Sequence, residues 1–497
     1  MESEEPLVTA LSNHGVPLAF DEQKNTFYCT LGLDQGIEWP QLQLTAQNVG
    51  RGVTLCFADD YAYDWCDEAI REGYSYQIMA YTDTEYSYFN IVFTGLPILC
   101  VQTPHEIHQE DVPAHVTASA YGGEALEGNA RIHIRGASTM YAEKPGYRIE
   151  FTRREDGSGK VSRWMPGFGT ADDVVLLALN YDDTKMRDRL SWDLYAQMAG
   201  EEESFGARKT GYVELLVNGE YKGLYLMVEP FDVEEEIGKA ASTRILTDCV
   251  YRTAVLSFSH DRLYCGHPRR GNTGFELYYS PVGEENAFDL LGAYMDLLYE
   301  EDEEAFAEKA EACMDLESVA RMELLVQAGG MTDNFYNNWY IWASPEKDGV
   351  QYRFAPWDMD MTWGLKKEEI GELFENWMSF GVFDRMIHLD VGGIRTLLWD
   401  TWKALRGGVL SMEALEKRIN QYAEELRDSG AMVRDAERWG TQAYEPDGYE
   451  ILTFCSIRFP LLDSVLGQIA ESTDAPVEFL MNPNYEAKAA PMTDLFL

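Results

Sequence analysis

Positive charge is scarce in this sequence: 40 Lys and Arg stand against 85 Asp and Glu, a formal net charge of −45 over 497 residues. Such a surface repels nucleic acid and anionic lipid, so neither is expected as a partner. It repels nucleotides too, but screening confines the repulsion to about 8 Å at physiological salt, so a local basic patch can still hold phosphate. Long apolar runs are missing as well, and Met1 is followed by an acidic, polar stretch in place of a signal sequence. No membrane insertion is expected, and an exported form would begin here after its signal. The eight cysteines are dispersed without a Cys-x-x-Cys, which argues against a zinc site or a dense disulfide framework and for core thiols. The eight histidines are equally scattered. His105 and His108 are near enough in sequence to share a metal, but a loop without further ligands is the plainer expectation. What the chain has instead is apolar material, 45% hydrophobic and 13% aromatic, at a length that suits two or three domains around a large core.

Residues 1–110 carry short β-rich runs at 26–31, 52–57, 74–81 and 86–94, divided by Asp, Gly and Asn turns. This spacing predicts a small Ig-like β-sandwich, an accessory domain with a linker near 102–113. Residues 131–163 then reverse the charge balance, with eight basic residues against four acidic ones. Arg-Ile-His-Ile-Arg and Tyr-Arg-Ile-Glu-Phe alternate there as half-buried strands, joined by a loop of small and hydroxyl residues that ends near Lys144. Such a loop can cover phosphates and present the lysine to them. An ordinary hairpin whose basic residues offset nearby acids fits equally well.

Residues 183–200 read as a helix with Asp183 as N-cap and Arg187 in the first turn. Asn218-Gly219 marks a tight turn between strands at 212–217 and 223–229, leaving Glu229 at a strand end before Pro230. Its default reading is a solvated carboxylate, although it can also project into a cleft. Residues 231–282 read as irregular, with 265–272 a surface excursion. Helices follow near 287–300, 303–314 and 316–328, and another at 412–427 is capped by Ser411. The tail after residue 470 holds no legible chemistry.

The stretch 332–364 looks like the functional centre. Two aromatic-rich runs, 339–344 and 351–356, flank Pro-Glu-Lys-Asp-Gly, which predicts a β-hairpin. Folding back at that turn makes Asn338 and Asp358 neighbours, with Asp333 on the same side. Asn338, Asp358 and Asp360 are oxygen donors suited to a hard divalent cation, and Asp333 is left for proton transfer. The interval of five residues from Asp333 to Asn338, with a hairpin and then an Asp, is that of a protein-kinase catalytic loop and its metal-binding Asp. Asp and Asn in loops also make plain turns. The frame of Trp357, Met359, Met361 and Trp363 favours the first reading, because carboxylates set among such side chains are costly unless a cation or donors compensate.

Four segments in order resemble the CotH spore-coat kinase family, an atypical protein-kinase-like group. They are Ile-Arg-Gly-Ala-Ser-Thr from Ile134 with Lys-Pro-Gly-Tyr-Arg-Ile from Lys144; Asp-Thr-Lys-Met-Arg from Asp183; Val-Asn-Gly-Glu-Tyr-Lys-Gly-Leu-Tyr from Val217, with Glu229; and Asp333 through Pro-Trp-Asp-Met-Asp-Met-Thr-Trp-Gly. The resemblance covers about 115–400. It implies an α+β fold with an atypical kinase-like two-lobed core, a β-rich lobe within 115–282 and a helical lobe within 283–475, behind the N-terminal β-rich domain and ahead of a tail at 476–497. It implies ATP with Mg²⁺ or Mn²⁺ as cofactors and transfer of phosphate to a Ser or Thr hydroxyl of a protein acceptor. In that reading Asp333 is the base, Asn338 and Asp358 hold the metal, and Asp360 is a second ligand or a brace. Lys144 binds phosphate with Glu229 as its partner, and Arg135, Arg148 and Arg187 are phosphate or structural contacts. A spore-coat, cell-surface or secreted location goes with the family. The chain departs from kinases in lacking a Gly-x-Gly-x-x-Gly loop and a His-Arg before Asp333, which leaves other readings open. One is a different nucleotide-dependent transfer on a kinase fold. Another takes Asp358-Met359-Asp360 as the metal pair of a sugar-nucleotide glycosyltransferase, and a third is a silent surface or coat scaffold.

Overall fold

The computed structural model describes residues 1–32, 43–47, 52–58, 67–136, 141–199, 205–231, 233, 246–253, 275–282, 284–298, 300–334, 338–365, 377 and 382–472. The fold is mixed α+β, as the sequence suggests, and divides into two units. The first comprises Met1–Lys185, Lys209–Pro230 and Asn420–Asp447, and the second Met186–Arg208, Phe231–Ile419 and Gly448–Leu497. No helix among the described residues is long and apolar enough to cross a membrane.

The first unit is built on a closed barrel of seven strands. In spatial order these are Val112–Ser119, Ala125–Arg135, Gly146–Thr152, Asp173–Leu177, Glu220–Val228, Thr210–Val217 and Ile98–Gln102. Alternating residues such as Val116, Ile132, Ile149, Val174, Leu215 and Met227 point inward and are fully buried, so the barrel is a packed core. The Asn218-Gly219 turn forms as read, with φ of 50° and 70° and Val217 paired to Glu220. Both residues therefore adopt the left-handed region that a two-residue hairpin turn requires. The strand Ile98–Gln102 differs from expectation: it lies inside the stretch assigned to a separate β-rich domain, yet it pairs with two barrel strands.

Upstream of it, the strands Ala19–Asp21, Thr26–Thr30, Tyr86–Thr94, Ser75–Tyr81 and Thr54–Phe57 form one sheet in that order, and three short strands, Ala10–Asn13, Val16–Pro17 and Leu44–Gln47, form another. Leu11, Phe27, Cys29, Ile78 and Ile91 fill their shared core. This region is tied to the barrel at Tyr28, which stacks on Tyr221 at 5.1 Å between ring centroids. Nearby, the Tyr221 backbone N–H donates to Asp21 Oδ2 at 3.2 Å.

The helix Ala431–Trp439 packs along the strand Glu220–Val228 and fastens it residue by residue. Arg434 makes a bidentate, fully buried pair with Glu214 at 2.9 and 2.7 Å. Asp435 Oδ1 accepts the Leu224 N–H at 2.9 Å, Arg438 reaches Glu220 and the Tyr221 carbonyl, and Trp439 Nε1 donates to Lys222 O at 3.0 Å. Gly223 makes this approach possible: its φ is 99°, and a Cβ there would stand 2.1 Å from Asp435 Oδ1.

The second unit has a four-stranded antiparallel sheet in the order Phe275–Tyr279, Cys249–Thr253, Trp339–Glu346, Gly349–Pro356. The first two strands fall where the sequence reads as irregular. Cys249–Thr253 is an inner strand buried at nearly every position, so it shows no alternation. The excursion expected at 265–272 lies outside the described residues. The helices are close to expectation at Glu284–Leu298, Glu303–Cys313 and Leu316–Gly329, the last two capped by Asp302 and Asp315 through the Ala305 and Ser318 N–H groups. The helix Met412–Ser429 is capped by Ser411 Oγ, which accepts the Ala414 N–H at 3.2 Å. The helix expected from Asp183 instead begins at Arg187. Asp182 Oδ1 takes both the Thr184 N–H and its hydroxyl, closing a tight turn that delays helix entry.

Candidate functional site

The helix Leu316–Gly329 is buried at almost every position from Ser318 onward and ends at Gly330, whose left-handed backbone returns its N–H to Val326 O. A single 3-10 turn, Thr332–Asn334, follows, and it sets Asp333 at a fixed point beyond a rigid rod. The hairpin arrives from the other side. Its strands pair from Glu346 with Gly349 at the turn to Trp339 with Pro356 at the open end. One further rung closes beyond that end, where Trp357 N–H donates to Asn338 O at 2.7 Å. Asn338 thereby stands opposite Trp357 and beside Asp358, as the folding-back argument requires.

At this point Asn338 Nδ2 donates to Asp333 Oδ2 at 2.6 Å. Asn338 and Asp358 both hold left-handed backbones, with φ of 56° and 53°. All three side chains, and that of Asp360, are half-buried. The Asp358 carboxylate makes no hydrogen bond or ion pair with another described residue, whereas Asp360 is engaged. The aromatic frame is locked in place. Trp363 is fully buried, its N–H donates to Gly329 O at 2.6 Å, and its indole N–H donates to Ser191 Oγ at 2.8 Å. Trp357 meets Trp192 edge-on at 5.7 Å. Among the described residues no three His, Cys, Asp or Glu side chains form a preset metal cage. The donors on offer are an amide oxygen and carboxylates, the set that suits a partly hydrated Mg²⁺.

One residue of this loop is invisible to motif reading. Asn334 is fully buried, and its Nδ2 donates to both Asn338 O, at 3.0 Å, and Trp357 O, at 2.9 Å.

The basic candidates belong to the first unit. Lys144 is buried, and its Nζ donates to Leu224 O at 2.6 Å and to Asp435 at 2.7 Å and lies 4.7 Å from the centroid of the Tyr225 ring. The expected pairing with Glu229 is therefore corrected: Glu229 stands 3.4 Å from Lys209, and Asp435 is the lysine's carboxylate. Burial pushes the Lys144 ammonium down to about 8, with Asp435 opposing that shift and Lys185 adding to it. Arg148 is held by Asp173, with Nε to Oδ2 at 3.1 Å. Arg135 is half-buried at the end of its strand, opposite Gly146. Part of the loop expected to cover phosphates, at 137–140, lies outside the described residues. Arg187 is fully buried in the second unit and reaches Glu450 at 3.0 Å.

Residues 132–459, about two thirds of the chain, match the CotH kinase protein family. The chain belongs to the CotH kinase family. No curated protein matches it. The family match begins within the strand Ala125–Arg135, ends within the helix Tyr449–Glu471 and takes in every candidate residue above. CotH membership suggests a kinase-like phosphotransferase with nucleotide and metal use in general, and the family is associated with the spore coat.

Proposed function

We propose that this CotH-family chain is an ATP- and Mg²⁺-dependent phosphotransferase, an atypical protein kinase that phosphorylates Ser or Thr hydroxyls of a protein acceptor at the spore coat or cell surface. The observation that supports the proposal is the bond from Asn338 Nδ2 to Asp333 Oδ2 at 2.6 Å, made at the open end of the hairpin where the Trp357 N–H to Asn338 O rung brings the backbone of Asp358 beside Asn338. That bond fixes the amide's orientation. With its nitrogen turned to Asp333, Asn338 offers its oxygen elsewhere, beside a half-buried Asp358 that has no partner among the described residues. A carboxylate so placed is costly without a cation, so the donor set fits a divalent metal held by Asn338 and Asp358, with Asp360 as a further ligand or a brace. When bound, a divalent cation would offset the negative charge of the phosphates.

The chain's own residues carry the rest. Asp333, oriented by the Asn338 amide at 2.6 Å, is the proposed acceptor of the proton of an incoming hydroxyl. In phosphoryl transfer such positioning outweighs basicity. Lys144 is the phosphate-binding cation of the proposal, with Asp435 and Leu224 O fixing its direction. Arg135 and Arg148 are lesser contributors, the latter already engaged by Asp173. Substitution of Asp333 separates the roles. In Asp333→Asn, metal-dependent ATP binding persists while phosphate transfer to Ser- and Thr-containing acceptor proteins falls by about 10²- to 10⁴-fold. Transfer at the wild-type rate by Asp333→Asn rules out the proposed base.

A further inference from the structure

We propose that Asn334 is a positioning residue for the metal ligands, acting by clamping the open end of the hairpin; this rests on the functional reading above. The end of a β-ladder is where strands fray, yet here it must hold two ligands that sit on opposite strands. Asn334 meets that requirement with one amide group. One hydrogen goes to Asn338 O at 3.0 Å and the other to Trp357 O at 2.9 Å, across the rung that Trp357 N–H already makes to Asn338 O at 2.7 Å. Each acceptor belongs to a ligand's own peptide link, Asn338 on one strand and the Trp357–Asp358 bond on the other.

Two further features point the same way. Asn338 and Asp358 hold φ of 56° and 53°, a conformation that non-glycine residues keep when their surroundings fix it. Asn334 is fully buried although its Oδ1 has no partner among the described residues, so its burial is sustained by what the NH₂ group does. The 3-10 turn that carries the clamp also carries Asp333. A single turn thus registers the base against both ligands. An Asp at 334 would match the shape and lose both donors.

The test is Mn²⁺ uptake by the full-length protein in the presence of ATP, followed by the loss of the free-ion electron paramagnetic resonance signal. Wild type, Asn334→Ala, Asn334→Ser and Asp358→Ala are compared, with urea unfolding of each metal-free protein alongside. Asn334→Ala is expected to need about 10- to 100-fold more Mn²⁺ for half-saturation, the usual effect of removing a support behind metal ligands. Its affinity for ATP without metal should be unchanged, and its full uptake should return at high Mn²⁺. Asn334→Ser, which keeps one donor, falls between, and it supplies the reading if the alanine variant does not fold. Mn²⁺ affinity within about twofold of wild type, whatever the loss of unfolding midpoint, makes Asn334 merely structural and overturns the inference alone. Absence of Mn²⁺ uptake by wild type, or full uptake by Asp358→Ala, overturns the functional reading first and the clamp with it.

Discussion

Lys144 has three hydrogens, and their placement decides what it can do. Two are committed to Leu224 O and Asp435, and the Tyr225 ring covers one side of the group; in the proposed function the remaining hydrogen serves the phosphate. Burial has pushed the ammonium down to about 8, against the opposing pull of Asp435. The sign follows directly: the charge is present below about 8 and lost above it, so ATP affinity should fall as pH rises through that value. Asp435→Asn keeps the acceptor for Leu224 N–H but removes the charge that holds the lysine protonated, so the midpoint should move to lower pH. ATP titrations of both proteins from about pH 6.5 to 9.5 check this, and coincident profiles would count against Lys144 as a phosphate ligand. At this scale the sequence shows the residues whose partners lie along one hairpin. Asp333, Asn338 and Asp358 are legible because a turn sequence fixes which positions oppose each other. Asp435 and Asn334 are not, since one arrives from a distant helix and the other acts on backbone carbonyls, which leave no trace in side-chain identity.

The helix Leu316–Gly329 carries both a packing role and an ionic one. Its Glu323 is fully buried and accepts from Gln327 Nε2 at 2.8 Å, while Arg458 of the helix Tyr449–Glu471 donates to Gln327 O at 2.9 Å and Gln327 Oε1 at 2.8 Å. Burial, reinforced by the charge of Asp384, pushes the Glu323 carboxyl well above its ordinary value of 4.5, with Gln327 and Arg458 opposing. The folded protein thus keeps a proton that the unfolded chain releases as pH rises above 4.5, and stability is lost across that range. Glu323→Gln should match wild type near pH 4.5 and gain on it toward neutrality by up to about 1.4 kcal/mol per pH unit. Urea unfolding at several pH values measures it, and a pH-independent difference would contradict the assignment. The element scale was legible where caps and periodicity agree. Asp302, Asp315 and Ser411 cap their helices, and Asn218-Gly219 turns its hairpin. It failed where a local bond intervened, as Asp182 does before Arg187, and where burial on both faces erased alternation, as in Cys249–Thr253.

Taken as a whole chain, the sequence suggested a linker near 102–113, after the last of the short β-rich runs. The pairing of Ile98–Gln102 with two barrel strands, and the stacking of Tyr28 on Tyr221, come from contacts between distant segments that composition does not register. The α+β class, by contrast, came with the resemblance to the CotH family and agrees with the mixture of sheets and helices observed. Net charge of −45 frames the proposed chemistry, in which a metal that cancels phosphate charge offsets the repulsion between an acidic protein and ATP. The central claim is therefore metal-dependent nucleotide binding at the hairpin. Its most direct test is the thermal unfolding midpoint of the full chain with ATP, with and without Mg²⁺, in wild type and Asp358→Ala, because a ligand that binds only the folded state raises its apparent stability. The account predicts a rise in wild type that requires the metal and disappears in the variant. An equal rise in Asp358→Ala, or none in wild type at saturating ATP and Mg²⁺, would contradict it.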